Sequence, residues 1–268
     1  MRQFVSDTQL DKGCIFVEGK KFRYLNSVLR VEEGDMIDVR LPGGILQPMT
    51  VARIDRTAKR ITMQVAGDQV QPAEQKESDG MQEGQGPLFD YDLWLFQFVA
   101  KPPKMDLIIR QAVECGVARI VPVEGVFCQK GNIESARIKA GGKDDRWQRV
   151  ITEAREQSGS PVETKVMPCV SVAKACEMVA AMESKAAVVL YERSEDTVSI
   201  GQALAGKGDV KNVVLAVGAE GGISPEEIEL LKDAGFSAVH IKTNILRCET
   251  AALYGAAAVQ TVMSESGE

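Results

Sequence analysis

The spacing of apolar and polar residues predicts two regions of different architecture. Between residues 37 and 41, apolar residues alternate with charged ones, which is the period-two pattern of a half-buried β-strand. The same pattern recurs at residues 49–55 and 60–67, with a polar turn between them. Short strands separated by turns predict a small β-barrel over the first 66 residues. In the first strand we expect Ile37, Val39 and Leu41 to face inward and Asp38 and Arg40 to face solvent.

Two further segments complete this first region. Residues 20–35 have a helical apolar spacing at Phe22, Leu25, Val28 and Leu29, and the predicted helix ends at Gly34. Residues 67–88 combine glycine, glutamine, proline and acidic residues with almost nothing to bury. This composition predicts a solvated linker or a long surface loop.

Strands and helices alternate about five times in the rest of the chain. Such alternation is typical of βαβ units around a mostly parallel sheet, so we predict an α/β fold. The predicted helices lie at residues 103–116, 143–159, 171–182, 224–235 and 249–262. The predicted domains are residues 1–70 and 91–268, joined by a linker or surface loop at 71–90.

Composition narrows the class of protein. A chain of 268 residues suffices for two unequal domains, and 44% hydrophobic with 26% charged residues allows a substantial core. No apolar stretch is long enough to span a bilayer, and the amino-terminal residues lack the pattern of a secretory signal. We therefore expect a cytoplasmic protein without a membrane segment.

Charge and metal-ligand residues exclude several functions. With a net charge of −6, any nucleic-acid binding must come from a local basic patch. The six cysteines lack the spacing of a zinc site or a disulfide framework. A catalytic triad or a His-rich metal site would depend on the single histidine, His240, which we expect to be a strand residue with a satisfied hydrogen bond. We predict no metal.

A glycine-rich turn is the first candidate site. Gly218, Gly221 and Gly222 follow a buried strand, at the edge of the sheet where α/β proteins bind ligands. Ser224 and Glu227 then have the spacing of a capping box at the start of a helix. The glycine motifs of dinucleotide and triphosphate sites are absent. These residues alone leave a structural turn and a small-molecule site equally open.

The connection at residues 244–250 is the second candidate. It brings Arg247 and Glu249 together, and we expect Thr250 to cap the following helix. One face of that helix consists of small residues, which permit close packing against a neighbour. These residues are Ala251, Ala252, Gly255 and Ala256.

The two candidate segments resemble one family. VGAEGGISPEEIELLKDAGF at 217–236 and ILRCETAAL at 245–253 resemble the RsmE family of 16S ribosomal RNA uridine-N3 methyltransferases, of the SPOUT class. SVLRVEEGDMIDV, RQAVECGVARIVPV and RWQRVITEAREQSG are similar to further family segments in the same order. The chain departs from the family pattern at Ala219, where proline is usual, and at Ser160, where arginine is usual.

The resemblance implies a fold, a reaction and a cofactor. The implied fold has a carboxyl-terminal domain with a trefoil knot and an amino-terminal PUA-like β-barrel. The implied oligomeric state is a homodimer. The implied reaction is S-adenosylmethionine-dependent methylation of N3 of a specific uridine in the small ribosomal subunit. The cofactor-binding residues carried over from the family are Leu190, Tyr191, Glu192, Gly218, Glu220, Gly221, Gly222, Ile245, Leu246, Arg247 and Thr250.

Two residues are candidates for catalysis. Arg247 is expected to stabilise the uracil anion, because a guanidinium stays charged at any physiological pH. Glu249 is the weaker candidate for the proton acceptor, since that role needs a raised pKa; the alternative is that it orients Arg247. Glu220 either offsets the positive charge of the cofactor or points to solvent.

Contacts with RNA are expected from a local basic patch. Its candidate members are Arg23, Arg30, Lys101, Lys104 and Arg110, together with Arg40 and Arg53. Three other functions are alternatives: a SPOUT enzyme that methylates a ribose 2′-hydroxyl, a non-catalytic RNA-binding ribosome-assembly factor, and a nicotinamide-dependent oxidoreductase. The last is disfavoured because the dinucleotide motif is missing.

Overall fold

The computed structural model of the chain describes residues 3–66, 88–142 and 144–265. Residues 71–87 of the predicted linker (71–90) lie outside these ranges. The chain forms two compact units, Met1–Gly86 with Glu156–Pro161, and Pro87–Arg155 with Val162–Glu268. The division predicted from the sequence did not anticipate that residues 156–161 belong with the first unit.

The first unit contains a five-stranded sheet. Its elements are β1 (Gln3–Val5), β2 (Cys14–Val17), α1 (Gly19–Arg23), a π-helical segment (Tyr24–Leu29), β3 (Met36–Arg40), β4 (Leu46–Asp55) and β5 (Arg60–Val65). The strand order is β1-β3-β4-β5-β2, with β1 and β3 parallel and the other pairs antiparallel. Strands β3, β4 and β5 lie where the sequence predicted them, whereas β1 and β2 were not predicted individually. Closure of the sheet into a barrel stays a prediction.

Two details of this unit differ from the sequence-based predictions. Arg40 does not face solvent: it is 2% exposed, and its guanidinium donates to the carbonyl oxygens of Gly44 and Gly159, each at 2.7 Å. The predicted helix ends at Leu29 rather than at Gly34, because Arg30 adopts a left-handed conformation with φ 52°. Val28, predicted to be buried, is 66% exposed.

The second unit alternates strands and helices. Its first half contains β6 (Asp92–Phe98), α2 (Pro102–Glu114), β7 (Arg119–Glu124), α3 (Lys130–Ala140), α4 (Arg146–Ser158, which ends in the first unit), β8 (Lys165–Val166) and β9 (Val170–Ser171). The second half contains α5 (Val172–Ala180), β10 (Lys185–Leu190), α6 (Ile200–Leu204), β11 (Asn212–Val217), α7 (Pro225–Asp233), β12 (Ser237–Val239) and α8 (Cys248–Glu265).

All the strand pairs in this unit are parallel. The order is β12-β10-β11-β6-β7-β8, and β9 also pairs with β7. The predicted α/β fold with a parallel sheet is therefore confirmed. Because β12, β10 and β11 are neighbours and run in one direction, the loops that follow them meet at one edge of the sheet.

Apolar periodicity identified most helices of the second unit, and two were missed. The predicted inward residues of α2 and α4 are buried: Met105, Ile108, Ile109 and Ala112 in α2, and Trp147, Val150, Ile151 and Ala154 in α4. Helices α3 and α6 were missed because each buries a single residue and has no apolar stripe to find. Among the described residues, no helix is both long and apolar enough to cross a membrane.

Candidate functional site

An open pocket lies at the carboxyl ends of β10, β11 and β12. It contains about 660 Å³ of space between atoms, a volume that includes its open mouth. Three connections line it: the residues after β10, the glycine loop (residues 218–222) after β11, and the segment between β12 and α8. The lining residues are Leu190, Tyr191, Glu192, Val217, Gly218, Ala219, Gly222, Ile223, Val239, His240, Ile241, Thr243, Asn244, Ile245, Leu246, Cys248 and Ala251.

The glycine loop is folded tightly on itself. A Cβ atom on Gly218 would lie 2.8 Å from the carbonyl carbon of Gly222, a distance that side chains do not tolerate. The backbone N–H of Gly222 donates to the carbonyl oxygen of Ala219 at 3.0 Å, and Gly222 has φ 77°. Glycine is thus required for close approach at one end of the loop and for backbone conformation at the other.

The capping box predicted at α7 is confirmed, and it has a second role. The Glu227 N–H donates to Ser224 Oγ at 3.2 Å, while Glu227 Oε2 accepts from the Ser224 N–H at 3.0 Å. The other carboxylate oxygen, Oε1, accepts from the Val126 N–H at 2.7 Å. Glu227 therefore anchors the residues after β7 to the end of the glycine loop, and it does so while 5% exposed.

The segment between β12 and α8 is largely exposed. Its Ile245 side chain is 87% exposed even though it lines the pocket. Helix α8 begins at Cys248. The Ala251 N–H in its first turn donates a hydrogen bond to the Arg247 carbonyl oxygen at 2.7 Å. The prediction that Thr250 caps the helix is wrong, because the helix starts two residues earlier.

Lys104 connects the glycine loop to the start of α8. Its Nζ lies 3.0 Å from Glu249 Oε2 and 3.8 Å from Glu220 Oε1. Glu220 Oε1 also accepts from the Lys101 N–H at 3.1 Å. The Cys248 thiol donates to Glu249 Oε2 at 3.2 Å. One ammonium group thus interacts with Glu220 inside the glycine loop and with Glu249 at the start of α8.

The electrostatics of this cluster bear on proton transfer. Burial alone raises the pKa of Glu249, but hydrogen bonds from its own backbone and from Lys104 outweigh it and hold the pKa below its ordinary value. Burial, with the hydrogen bond to Glu249, raises the pKa of Cys248 to about 12. The bond to Glu249 raises the pKa of Lys104. A carboxylate with a lowered pKa is a poor proton acceptor.

Comparison with known proteins identifies the family of this chain. Residues 88–260 match the family described as RNA methyltransferase domain. The chain belongs to that family. The match begins shortly before β6 and extends through the pocket into α8, so all three connections lie inside it.

Individual relatives agree with this assignment. Proteins named ribosomal RNA small subunit methyltransferase E from Mycobacterium bovis and Aquifex aeolicus are 34% and 31% identical over 173 and 161 residues. These alignments cover 63% and 60% of this chain but only 62% and 64% of the relatives' own lengths. The resemblance to the RsmE family is thereby confirmed.

Solved structures extend the similarity to the whole chain. Ribosomal RNA small subunit methyltransferase E from Neisseria gonorrhoeae, bound to S-adenosylmethionine, has a TM-score of 0.77 at 25% identity and covers 98% of both chains. A putative methyltransferase from Legionella pneumophila, in complex with the same cofactor, has a TM-score of 0.76 at 20% identity and covers 97% of this chain and 96% of its own. The second similarity shows the fold alone.

This member of the RNA methyltransferase family brings some predicted site residues together and leaves others aside. Seven predicted cofactor-binding residues line the pocket: Leu190, Tyr191, Glu192, Gly218, Gly222, Ile245 and Leu246. Glu220, Gly221, Arg247, Glu249 and Thr250 are not among its lining residues. A Cβ on Gly221 would meet Phe127, 2.8 Å away, rather than the pocket. Arg247 is exposed, and no side-chain hydrogen bond or ion pair of it is recorded among the described residues.

Several lining residues were missed by the sequence-based prediction. His240, Ile241, Thr243 and Asn244 form the first part of the third connection, directly after β12. His240 is a loop residue rather than a strand residue, and its Nδ1 lies 3.4 Å from the Tyr191 carbonyl oxygen. Because the sequence-based prediction kept His240 in the strand, nothing in it marked where this segment starts.

The predicted RNA-binding residues fall into three groups. Arg23, Arg30, Arg53, Lys101 and Arg110 are exposed, as a binding role requires. The assignment of Arg40 is wrong because its guanidinium is buried and bonded to carbonyl groups. Lys104 is engaged with Glu249 and Glu220. Ser160, where the resemblance to the RsmE family led us to expect arginine, is also buried.

Proposed function

We propose that this chain is an S-adenosylmethionine-dependent methyltransferase that modifies N3 of a uridine in the 16S RNA of the small ribosomal subunit. The observation that carries the proposal is the pocket formed by three loops at adjacent strand ends, in a chain of the RNA methyltransferase family. A relative with the same overall fold binds this cofactor. The names of the relatives support ribosomal RNA as the substrate.

The chemistry of the pocket suits the cofactor. It is lined mainly by backbone and by small or apolar side chains, and the glycine loop leaves no room for a Cβ at Gly218. Residues 190–192, 218–222 and 245–246 would hold the ligand chiefly through main-chain N–H and C=O groups. When bound, S-adenosylmethionine supplies an activated methyl group.

Arg247 is the proposed electrostatic catalyst. Its side chain is exposed and engaged with no other described residue, so it is free to meet a substrate. A guanidinium donates to a uracil oxygen as negative charge develops there. Glu249 is held by Lys104 with a lowered pKa, which argues against its role as the proton acceptor and against its alternative role of orienting Arg247.

The finer features of the family are part of the same proposal. They are a trefoil knot in the second unit, a PUA-like barrel in the first, a homodimer and a cytoplasmic location. The exposed Leu253 and Tyr254 of α8 are compatible with a second copy of the chain packing there. The five exposed basic residues named above are the proposed RNA contacts.

Methyl transfer to a defined RNA tests the function. Purified protein is incubated with labelled S-adenosylmethionine and small subunits that lack the modification, and the nucleosides are separated by mass spectrometry. We expect labelled 3-methyluridine. A labelled ribose would assign the chain to the 2′-hydroxyl alternative, and cofactor binding without transfer would favour a non-catalytic assembly factor.

Replacing Arg247 tests the assigned catalytic residue. We expect Arg247→Ala to lower the methyl-transfer rate by about 100-fold, as the loss of one charge-stabilising donor does in other enzymes. The dissociation constant of the cofactor and the thermal midpoint should stay near those of the wild type, because the side chain is exposed, is not among the pocket-lining residues and has no recorded hydrogen bond or ion pair in the described structure. Equal losses of rate and affinity would reassign Arg247 to binding.

A further inference from the structure

The carboxylates around the pocket are not equivalent. Glu220 and Glu249 both interact with Lys104, at 3.8 and 3.0 Å, and Glu220 also accepts from the Lys101 N–H. Neither carboxylate lines the pocket. Their charges are therefore compensated by an ammonium group outside the cavity, which leaves them little effect on a ligand inside it.

Glu192 has the opposite environment. It follows β10 and lines the pocket, where it is the one carboxylate among lining residues that include no lysine or arginine. In the described parts of the chain, its carboxylate has no recorded hydrogen bond or ion pair. Its two oxygens lie 3.5 and 3.6 Å from the position that a Cβ of Gly222 would take. The uncompensated charge thus faces the glycine loop.

An unpaired carboxylate in a pocket without cations favours a positively charged ligand. Solvent reaches this side chain, so the attraction is screened. For opposite charges close together at such a site, we expect a change in affinity of about threefold to tenfold. S-adenosylmethionine carries a sulfonium cation, whereas its demethylated product, S-adenosylhomocysteine, carries a neutral thioether at the same place.

We propose that Glu192 makes the pocket selective for the sulfonium form of the ligand over the thioether form. The inference rests on the proposed function and adds a specificity determinant to it. Selectivity of this kind favours loading of the methyl donor and release of the spent product. It also assigns the charge complementarity to Glu192 instead of Glu220.

Isothermal titration calorimetry with both ligands tests the proposal without depending on catalysis. The variant is Glu192→Gln, which removes the charge and keeps the shape. The matched control is Glu195→Gln, the same substitution three residues away at an exposed position outside the pocket lining. Glu192→Asp, which keeps the charge, is the rescue variant.

We expect Glu192→Gln to weaken S-adenosylmethionine binding by about threefold to tenfold and S-adenosylhomocysteine binding by less than about twofold. Glu195→Gln should change neither, and Glu192→Asp should keep most of the preference. Equal losses of affinity for both ligands would overturn the proposal, because they would show that Glu192 interacts with the amino group that both ligands carry. Unchanged affinities for both ligands would overturn it as well.

Two further outcomes are distinguishable. If the wild-type protein binds neither ligand, the proposed function fails and this inference fails with it. If Glu192→Gln does not fold, the wild-type protein alone decides: its preference for the sulfonium ligand should shrink as ionic strength rises. A preference that is absent or independent of salt would overturn the role of Glu192.

Discussion

Two walls of the same pocket are built in different ways. The glycine loop is fixed by a contact of its own backbone at Gly218, by the left-handed Gly222, and by the capping box that follows it. The wall formed by residues 240–246 has a single internal backbone bond recorded in the described structure, from the Thr243 N–H to the Ile241 carbonyl oxygen. Its Ile245 side chain is almost fully exposed.

This difference separates two ways of binding a ligand. The glycine wall offers a fixed main-chain surface whose shape is set before any ligand binds. The other wall offers side chains, which are covered only when a ligand is present. Substitutions in the first wall should therefore act through its shape, and substitutions in the second through the contacts that they remove.

Gly218→Val should have the largest effect, because its side chain would collide with the backbone of Gly222. We expect the free energy of unfolding to fall by about 1–3 kcal/mol, and the affinity for S-adenosylmethionine to fall about tenfold or more. Chemical denaturation and calorimetry measure the two. Gly131→Val is the control, since a Cβ at Gly131 has no atom within 4 Å. Similar results for both variants would contradict a preformed glycine wall.

Lys104→Met should have an intermediate effect, because Lys104 joins the glycine loop to the start of α8 through Glu220 and Glu249. We expect a loss of about 1 kcal/mol in the free energy of unfolding. Lys232→Met is a close control: Lys232 pairs with Glu229 at the same 3.0 Å and is also 27% exposed, but the pair lies within one helix. Its loss should be smaller, because an ion pair between adjacent turns of one helix contributes little to stability. Equal losses of stability in the two variants would show that the ion pairs of Lys104 stabilise the protein no more than an ordinary surface ion pair does.

The same pair predicts how the effect of Lys104→Met depends on pH. The pKa of Glu249 is lowered in the folded state. Its contribution to the free energy of unfolding is therefore complete above pH 4.5 and disappears as the pH falls through the lowered pKa. The pKa of Lys104 is raised in the folded state. Its contribution to the free energy of unfolding is therefore complete below pH 10.5 and disappears as the pH rises through the raised pKa. The difference in stability between wild type and variant should therefore be largest between these limits, as measured by denaturation at several pH values.

Ile245→Ser should have the smallest effect on folding. The exposed side chain contributes little to the core, so we expect the free energy of unfolding to change by less than about 0.5 kcal/mol. The affinity for S-adenosylmethionine should fall about twofold to fivefold, because a ligand in the pocket covers part of this apolar surface. Val28→Ser, at a position 66% exposed in the first unit, should leave the affinity unchanged. A large loss of stability in Ile245→Ser would remove the contrast between the walls.

Local sequence pattern determined most of the architecture. Period-two and helical spacing predicted β3, β4 and β5 of the first sheet, the inward faces of α2 and α4, and the alternation that forms the parallel sheet, because burial of a face imposes its period on the sequence. The capping box at Ser224 was also predicted, since both of its partners lie within one turn. Helices α3 and α6 lacked any such local signal.

Contacts between distant segments were decided by the tertiary structure alone. The sequence placed the glycines and Arg247 in two candidate connections, yet it gave no reason to join Lys104 to Glu249, which is 145 positions away. It assigned Arg40 to the surface, because nothing nearby in the chain shows that the carbonyl group of Gly159 accepts from it. Periodicity reports which side of an element is buried. Which charge is paired, and which one faces the pocket, depends on residues that only folding brings together.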